Sequence, residues 1–201
     1  MTRLVHLLAT GPKALLALLP ESRQQVIKAR ARKLRSRAFS RIYAYDATQL
    51  NAKLRELGIL EVDASLMQAA VDDLNGFSGE AVEVIDCVLD ILGPSGHLFM
   101  VSMPYSGAAR DYLREAKPFD VRRTPSQMGF LSELFRRRKG VVRSANPMHP
   151  VLAWGPRAEW IVEGHEELAH SCGENSPFEK MLELDTKAFL FDVDLDVLTF
   201  A

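Results

Sequence analysis

Four consecutive apolar residues, Leu98-Phe99-Met100-Val101, fenced by the turn Gly93-Pro94-Ser95-Gly96 and by Pro104, constrain this chain most. An unbroken apolar run bounded by turn residues is a strand covered on both faces, because an edge or one-faced strand alternates. Covering both faces requires helices, and the flanking sequence supplies them. Ile85, Val88, Leu89 and Leu92 recur at helical spacing before the run. Leu50, Leu54 and Leu57 do so earlier, closed by Gly58. Further strands are expected within Val62–Val71, at Val141–Ser144, at Val151–Trp154 and at Lys187–Val193. Alternation of this kind predicts an α/β fold: a central, mostly buried sheet flanked by helices.

Two helix starts are written in the same grammar. Thr124-Pro125-Ser126-Gln127 and Ser176-Pro177-Phe178-Glu179 each place a capping hydroxyl before proline, with Gln or Glu three residues after the cap. The first predicts a helix carrying Met128, Leu131, Leu134 and Phe135, ending in Arg136-Arg137-Arg138-Lys139 and Gly140.

The N-terminal part differs in character. Between Glu21 and Arg41 lie eight bases and one acid, so this segment carries +7 and the remainder −8, to give the net −1 of the chain. The expectation is an N-terminal helical basic arm over 1–44 and one α/β domain over 45–201. A solvated basic helix with a narrow apolar stripe is the first reading of the arm. Contact with an anionic membrane or nucleic acid is the second. Charge follows the apolar stretch rather than preceding it, which argues against secretion. No apolar run approaches the length that spans a bilayer. Cys87 and Cys172 are too few for a disulfide framework, and a cytoplasmic setting is expected.

No phosphate loop, nucleophile elbow or metal-ligand spacing is present, and no metal is expected. His165 and His170, five apart in an acidic stretch, read as a solvated loop. Asp192, Asp194 and Asp196 share one face of an extended segment and read as a turn after a strand.

The most informative stretch runs from Pro118 to Pro156: Pro118-Phe119-Asp120, Thr124-Pro125-Ser126-Gln127-Met128-Gly129, Leu131-Ser132-Glu133-Leu134-Phe135-Arg136, Val142-Arg143-Ser144-Ala145-Asn146-Pro147. With Gly164-His165 and Cys172-Gly173-Glu174-Asn175-Ser176-Pro177-Phe178, it resembles the aminoglycoside 3-N-acetyltransferase family. The resemblance runs from about Tyr45 to Ala201. It implies an acetyl-CoA-dependent enzyme, with acetyl-CoA as co-substrate, that acylates an amine of an aminoglycoside or related amino sugar by direct transfer in a ternary complex.

Carried onto this chain, the resemblance implies cofactor contacts at Thr124, Ser126, Gln127, Met128, Gly129 and Arg143. The expected helix start offers N–H groups to a pyrophosphate, with Arg122 and Arg123 as further phosphate partners. Asn146 and Glu174 are substrate candidates, and Glu163, Glu166 and Glu167 add negative charge for a cationic acceptor. Gln68-Ala69-Ala70 and Asn146-Pro147 stand where the family usually has His-Ser and His-Pro. Thr199-Phe200-Ala201 matches the start of the family's Thr-x-x-His, whose His acts as general base. The expectation is therefore a domain incomplete at its C-terminus, to be completed by a partner chain or oligomer. Its catalytic candidates are Thr199 and His149. The alternative is an inactive member that binds CoA or a protein.

Overall fold

The computed structural model describes residues 43–69, 76–115 and 117–191, together with Pro20, Arg23, Gln24, Val26 and Ile27. Most of the basic arm and all of 192–201, including Thr199 and the three aspartates, lie outside the described residues. So do Ala70 and Val71 at the end of the first expected strand. Arg23, Gln24, Val26 and Ile27 are helical.

The elements follow in order: α1 (Ala47–Glu56), a 3-10 turn (Ile59–Glu61), β1 (Ala64–Ala69), α2 (Ala81–Leu92), β2 (His97–Val101), α3 (Ala109–Glu115), α4 (Phe130–Arg136), β3 (Val142–Arg143), β4 (Val151–Trp154), α5 (Ala158–Val162), a second 3-10 turn (His165–Glu167), α6 (Pro177–Leu182) and β5 (Thr186–Phe191). The five strands form one sheet in the order β3-β4-β2-β1-β5. β1 runs parallel to β2 and to β5, whereas β4 is antiparallel to both β2 and β3.

β2 confirms the two-sided reading. Leu98 and Met100 join a core with Leu50, Leu54, Val88 and Phe135, beneath α1, α2 and α4. Phe99 and Val101 join a second core with Ile161, Phe178 and Met181, beneath α5 and α6. Successive side chains alternate across the pleat, so a strand between two helical layers must be apolar at every position. Leu98, Phe99, Met100 and Val101 are each at most 2% exposed, and full burial of such a group contributes about 1.5–3 kcal/mol.

Local signals fix several ends. Asp46 caps α1: its carboxylate accepts the Gln49 N–H at 2.9 Å, and the Gln49 side chain accepts the Asp46 N–H at 3.0 Å. Gly58 ends α1 in the left-handed region, φ 81°. The Lys187 ammonium donates to the Leu57 and Gly58 carbonyls there. At the other side of the sheet, Gly155 (φ 127°) follows β4 so closely against the Gly96 carbonyl that a Cβ would meet it at 2.5 Å.

The expected helix at Thr124 does not form. Residues 121–123 make a turn, 124–129 are irregular, and α4 begins only at Phe130 behind Gly129. Met128 therefore lies outside the helix and packs against the second core. The reason is tertiary competition. The Thr124 hydroxyl accepts from the N–H of Asp120, four residues behind it, at 2.8 Å. The Ser126 N–H is taken by the Glu133 carboxylate at 3.0 Å, and the Gln127 N–H by the Met103 carbonyl at 2.7 Å. At Ser176 the same grammar does start a helix, with the serine side chain accepting from the Glu179 N–H and Pro177 at the first position.

Candidate functional site

The carboxyl ends of β1 and β2 meet the end of β3 and the start of β4 at one edge of the sheet. There the Ser102 N–H donates to the Pro150 carbonyl at 2.8 Å and the Ser144 N–H to Val151 at 2.9 Å. In open α/β sheets, ligands bind outside this edge. An apolar groove of about 630 Å³ between α1 and β5 is lined by no carboxylate, histidine or cysteine and by none of these residues. The chemistry-bearing residues are those at the strand ends.

Arg143 lies beneath the loop that covers this edge. Its side chain is buried; one Nη donates to the Ser102 carbonyl at 2.5 Å, the other to Thr124 at 2.6 Å and Val121 at 3.4 Å. The guanidinium also stands 4.7 Å from the Phe119 ring centroid. Burial, then the neighbouring charge of Arg136, brings its pKa down to about 10. Arg143 thus fastens the 119–126 loop to the sheet, with both Nη groups committed to backbone carbonyls. Glu133 supports the same loop. It accepts from Arg136, Arg137 and the Ser126 N–H, and the Arg136 bond above all holds its pKa at about 2.

Because the Ser126 and Gln127 N–H groups are engaged internally, and Met128 N–H faces the Ser126 hydroxyl at 3.3 Å, there is no helix start here to receive a pyrophosphate. Exposed cations remain at Arg122 and Arg123, whose backbone N–H groups both donate to Asp120 and hold its carboxyl below the usual range.

His165, read from sequence as part of a solvated loop, is fully buried at 0% exposure. Its Nε2 lies 2.9 Å from the Ser171 carbonyl and its Nδ1 2.8 Å from the Ser144 hydroxyl. A carbonyl only accepts, so bonding assigns the proton to Nε2, and Nδ1 accepts from Ser144. The same hydroxyl oxygen accepts the Val151 N–H at 2.8 Å. Burial pushes the His165 pKa down. The available signal is the presence of Ser144 and Gly164-His165 in one motif block, since a buried histidine needs partners and a serine at a strand end supplies one.

Asn146 is likewise buried. Its Nδ2 donates to the His165 carbonyl at 3.2 Å, and its Oδ1 accepts the N–H groups of Met148 at 2.9 Å and His149 at 3.0 Å. His149 is half-buried, its pKa pushed down by burial, and its Nδ1 has no partner among the described residues. The buried Ser102 hydroxyl also lacks one there.

The structure thus brings Thr124 and Arg143 together, and Asn146 with His149. Glu174 is exposed in the turn before α6, and Glu163, Glu166 and Glu167 are each exposed as well. No hydrogen bond or ion pair among the described residues joins Glu174 to the Asn146 network. Tyr105 stacks on Tyr112 with ring centroids 4.8 Å apart, and burial above all raises the pKa of its hydroxyl. Among the described residues no group of three His, Cys, Asp or Glu could hold a metal, and no helix is long and apolar enough to cross a membrane.

Comparison with known proteins agrees with this architecture. Residues 66–201 match the sequence profile of a family described as Aminoglycoside 3-N-acetyltransferase. Aminoglycoside N(3)-acetyltransferase III of a Salmonella species is 31% identical over 158 residues, covering 73% of this chain and 55% of that protein. The solved structure of AAC-IIIb in binary complex with CoASH superposes with a TM-score of 0.67 at 30% identity, over 77% of this chain and 62% of that one. A mutant of aminoglycoside acetyltransferase AAC(3)-IVa in complex with a gentamicin superposes with a TM-score of 0.65 at 26% identity, over 78% and 57%. The chain spans about half the length of the curated relatives it matches.

Proposed function

Because this chain belongs to the aminoglycoside 3-N-acetyltransferase family, we propose that it transfers the acetyl group of acetyl-CoA to an amine of an aminoglycoside or related amino sugar. Transfer is direct, within a ternary complex. The observation that carries this reading is the profile match over residues 66–201, which contains every residue of the strand-end cluster. One similar structure holds CoASH and another a gentamicin, which supports acetyl-CoA as co-substrate and an aminoglycoside-like acceptor.

The exposed charges suit a pair of ligands of opposite charge. Arg122 and Arg123 offer exposed positive charge to phosphates, and Glu163, Glu166, Glu167 and Glu174 offer negative charge to a cationic acceptor. In the reaction the amine nitrogen attacks the thioester carbonyl carbon, the new N–C bond replaces the C–S bond, and the thiolate leaves as CoA. The amine must shed a proton, and we assign its acceptance to His149. Burial keeps that imidazole neutral at neutral pH, the form a base requires. Thr199 is assigned as a hydroxyl donor to the oxyanion. Arg143, Thr124, Ser126, Gln127, Met128 and Gly129 belong to the loop on the cofactor side. We assign residues 45–201 to the catalytic domain and 1–44 to a basic arm open to anionic surfaces, in a cytoplasmic protein.

A second reading, a family member that binds CoA or a protein without turnover, is favoured by one observation: the side chains of Arg143 and Asn146 are committed to internal bonds. Calorimetric titration with acetyl-CoA, paired with thiol release on a panel of amino sugars, separates the two. Binding with amine-dependent release is the expected result. Binding without release supports the second reading, and absence of binding by folded protein overturns the first reading and the CoA-binding form of the second.

A further inference from the structure

We infer that Asn146 is a positioning residue that sets the direction of the His149 imidazole, and that His165 and Ser144 hold Asn146 in place. This rests on the assignment of His149 as base.

The inference follows a continuous path of bonds. Ser144, at the end of β3, is tied to the first residue of β4 by the Val151 N–H and donates its own hydroxyl proton to His165 Nδ1. The His165 ring is held at its other nitrogen by the Ser171 carbonyl, so both ring nitrogens are anchored. Asn146 donates to the His165 backbone carbonyl and gathers the Met148 and His149 N–H groups on its Oδ1, closing residues 146–149 into an Asx turn. His149 Nδ1 has no partner of its own among the described residues. With no hydrogen bond at Nδ1 to pin it, the ring depends for its placement on the backbone at 149 and on packing, and Asn146 holds that backbone. A general base needs such placement, because a displacement of about 1 Å can cost on the order of a hundredfold in rate. The amide is suited to this task because it both donates and accepts: alanine does neither, and aspartate only accepts.

The test follows the ring directly, by NMR titration of ¹³C-labelled histidines, with His149 assigned through His149→Gln. In Asn146→Ala the His149 titration is expected to move up toward the ordinary histidine value, as the ring turns to water. The rate constant kcat falls about ten- to a hundredfold, while acetyl-CoA affinity is unchanged by calorimetry. Asn146→Asp keeps the acceptor for both N–H groups but turns an acceptor toward the His165 carbonyl, so it is expected to recover only part of kcat; full recovery would overturn the part given to His165 and Ser144. An unshifted His149 titration in folded Asn146→Ala overturns the inference; if that variant does not fold, an unshifted ring in Asn146→Ser does so. Wild-type turnover by His149→Gln instead removes the base assignment, whereas the ring titration still reports on positioning.

Discussion

Thr124-Pro125-Ser126-Gln127 and Ser176-Pro177-Phe178-Glu179 follow one pattern, yet only the second begins a helix. The surroundings make the difference. Ser176 is fully buried, and its hydroxyl accepts from the Glu179 N–H, as the local signal asks. At Thr124 every candidate group has another partner: Glu133 for Ser126, Met103 for Gln127, and the aspartate four residues back for the threonine itself. Arg143 then locks the loop, since the Thr124 and Val121 carbonyls are its own ligands. An N-terminal cap stabilises a helix by about 1 kcal/mol, and several charge-assisted bonds to partly buried groups outweigh it. Local grammar decides only where nothing stronger competes.

Substitutions can break or sharpen this contrast. The largest effect is expected from Arg143→Met, which strips three carbonyls of their donor and should cost about 3 kcal/mol in urea unfolding; a loss under about 1 kcal/mol would mean the loop holds itself. Glu133→Gln should cost roughly 2 kcal/mol at neutral pH. The Glu133 pKa lies at about 2 in the folded protein against 4.5 for the free group. Its contribution is therefore complete above about 4.5 and lost as pH falls through the folded value, so wild type and variant should converge in acid. Ser176→Ala should cost about 1 kcal/mol, the ordinary loss of a cap. Thr124→Val, on the motif that caps nothing, should stay within about 0.5 kcal/mol. Equal losses at Ser176 and Thr124 would erase the comparison.

A fifth expectation concerns acid sensitivity. His165 is neutral and buried, with its pKa below the ordinary histidine value. An unfolded chain binds the proton more readily, so the His165 contribution is full above about 6.5 and declines as pH falls below it. Hydrogen exchange across 163–176 at pH 5 against pH 7 should show this decline, and a flat response would contradict it.

Legibility of the sequence divides along the same line. The span of β4, Val151–Trp154, and the run of β2 can be read directly, because burial on two faces leaves only apolar residues. The helix at Ser176 and the glycine end at Gly58 are legible because their partners lie within a turn. His165 misleads: acidic neighbours at 166 and 167 suggest exposure, while the partners that bury it stand at 144 and 171. Arg143 reads as a phosphate partner, since charge is visible in a sequence and carbonyl ligands are not. Asn146 reads as a substrate contact from sequence, which does not show that its amide closes a turn.

The pairing of β1 sets an order of events. One of its neighbours, β2, is made soon after it; the other, β5, aligns Ala64 with Thr186, across nearly the whole described chain. During synthesis β1 leaves the ribosome with one side claimed early and the other bare until β5 emerges. Closing so long a loop is a slow step. A strand among the most buried of the finished protein is thus paired on both sides only late.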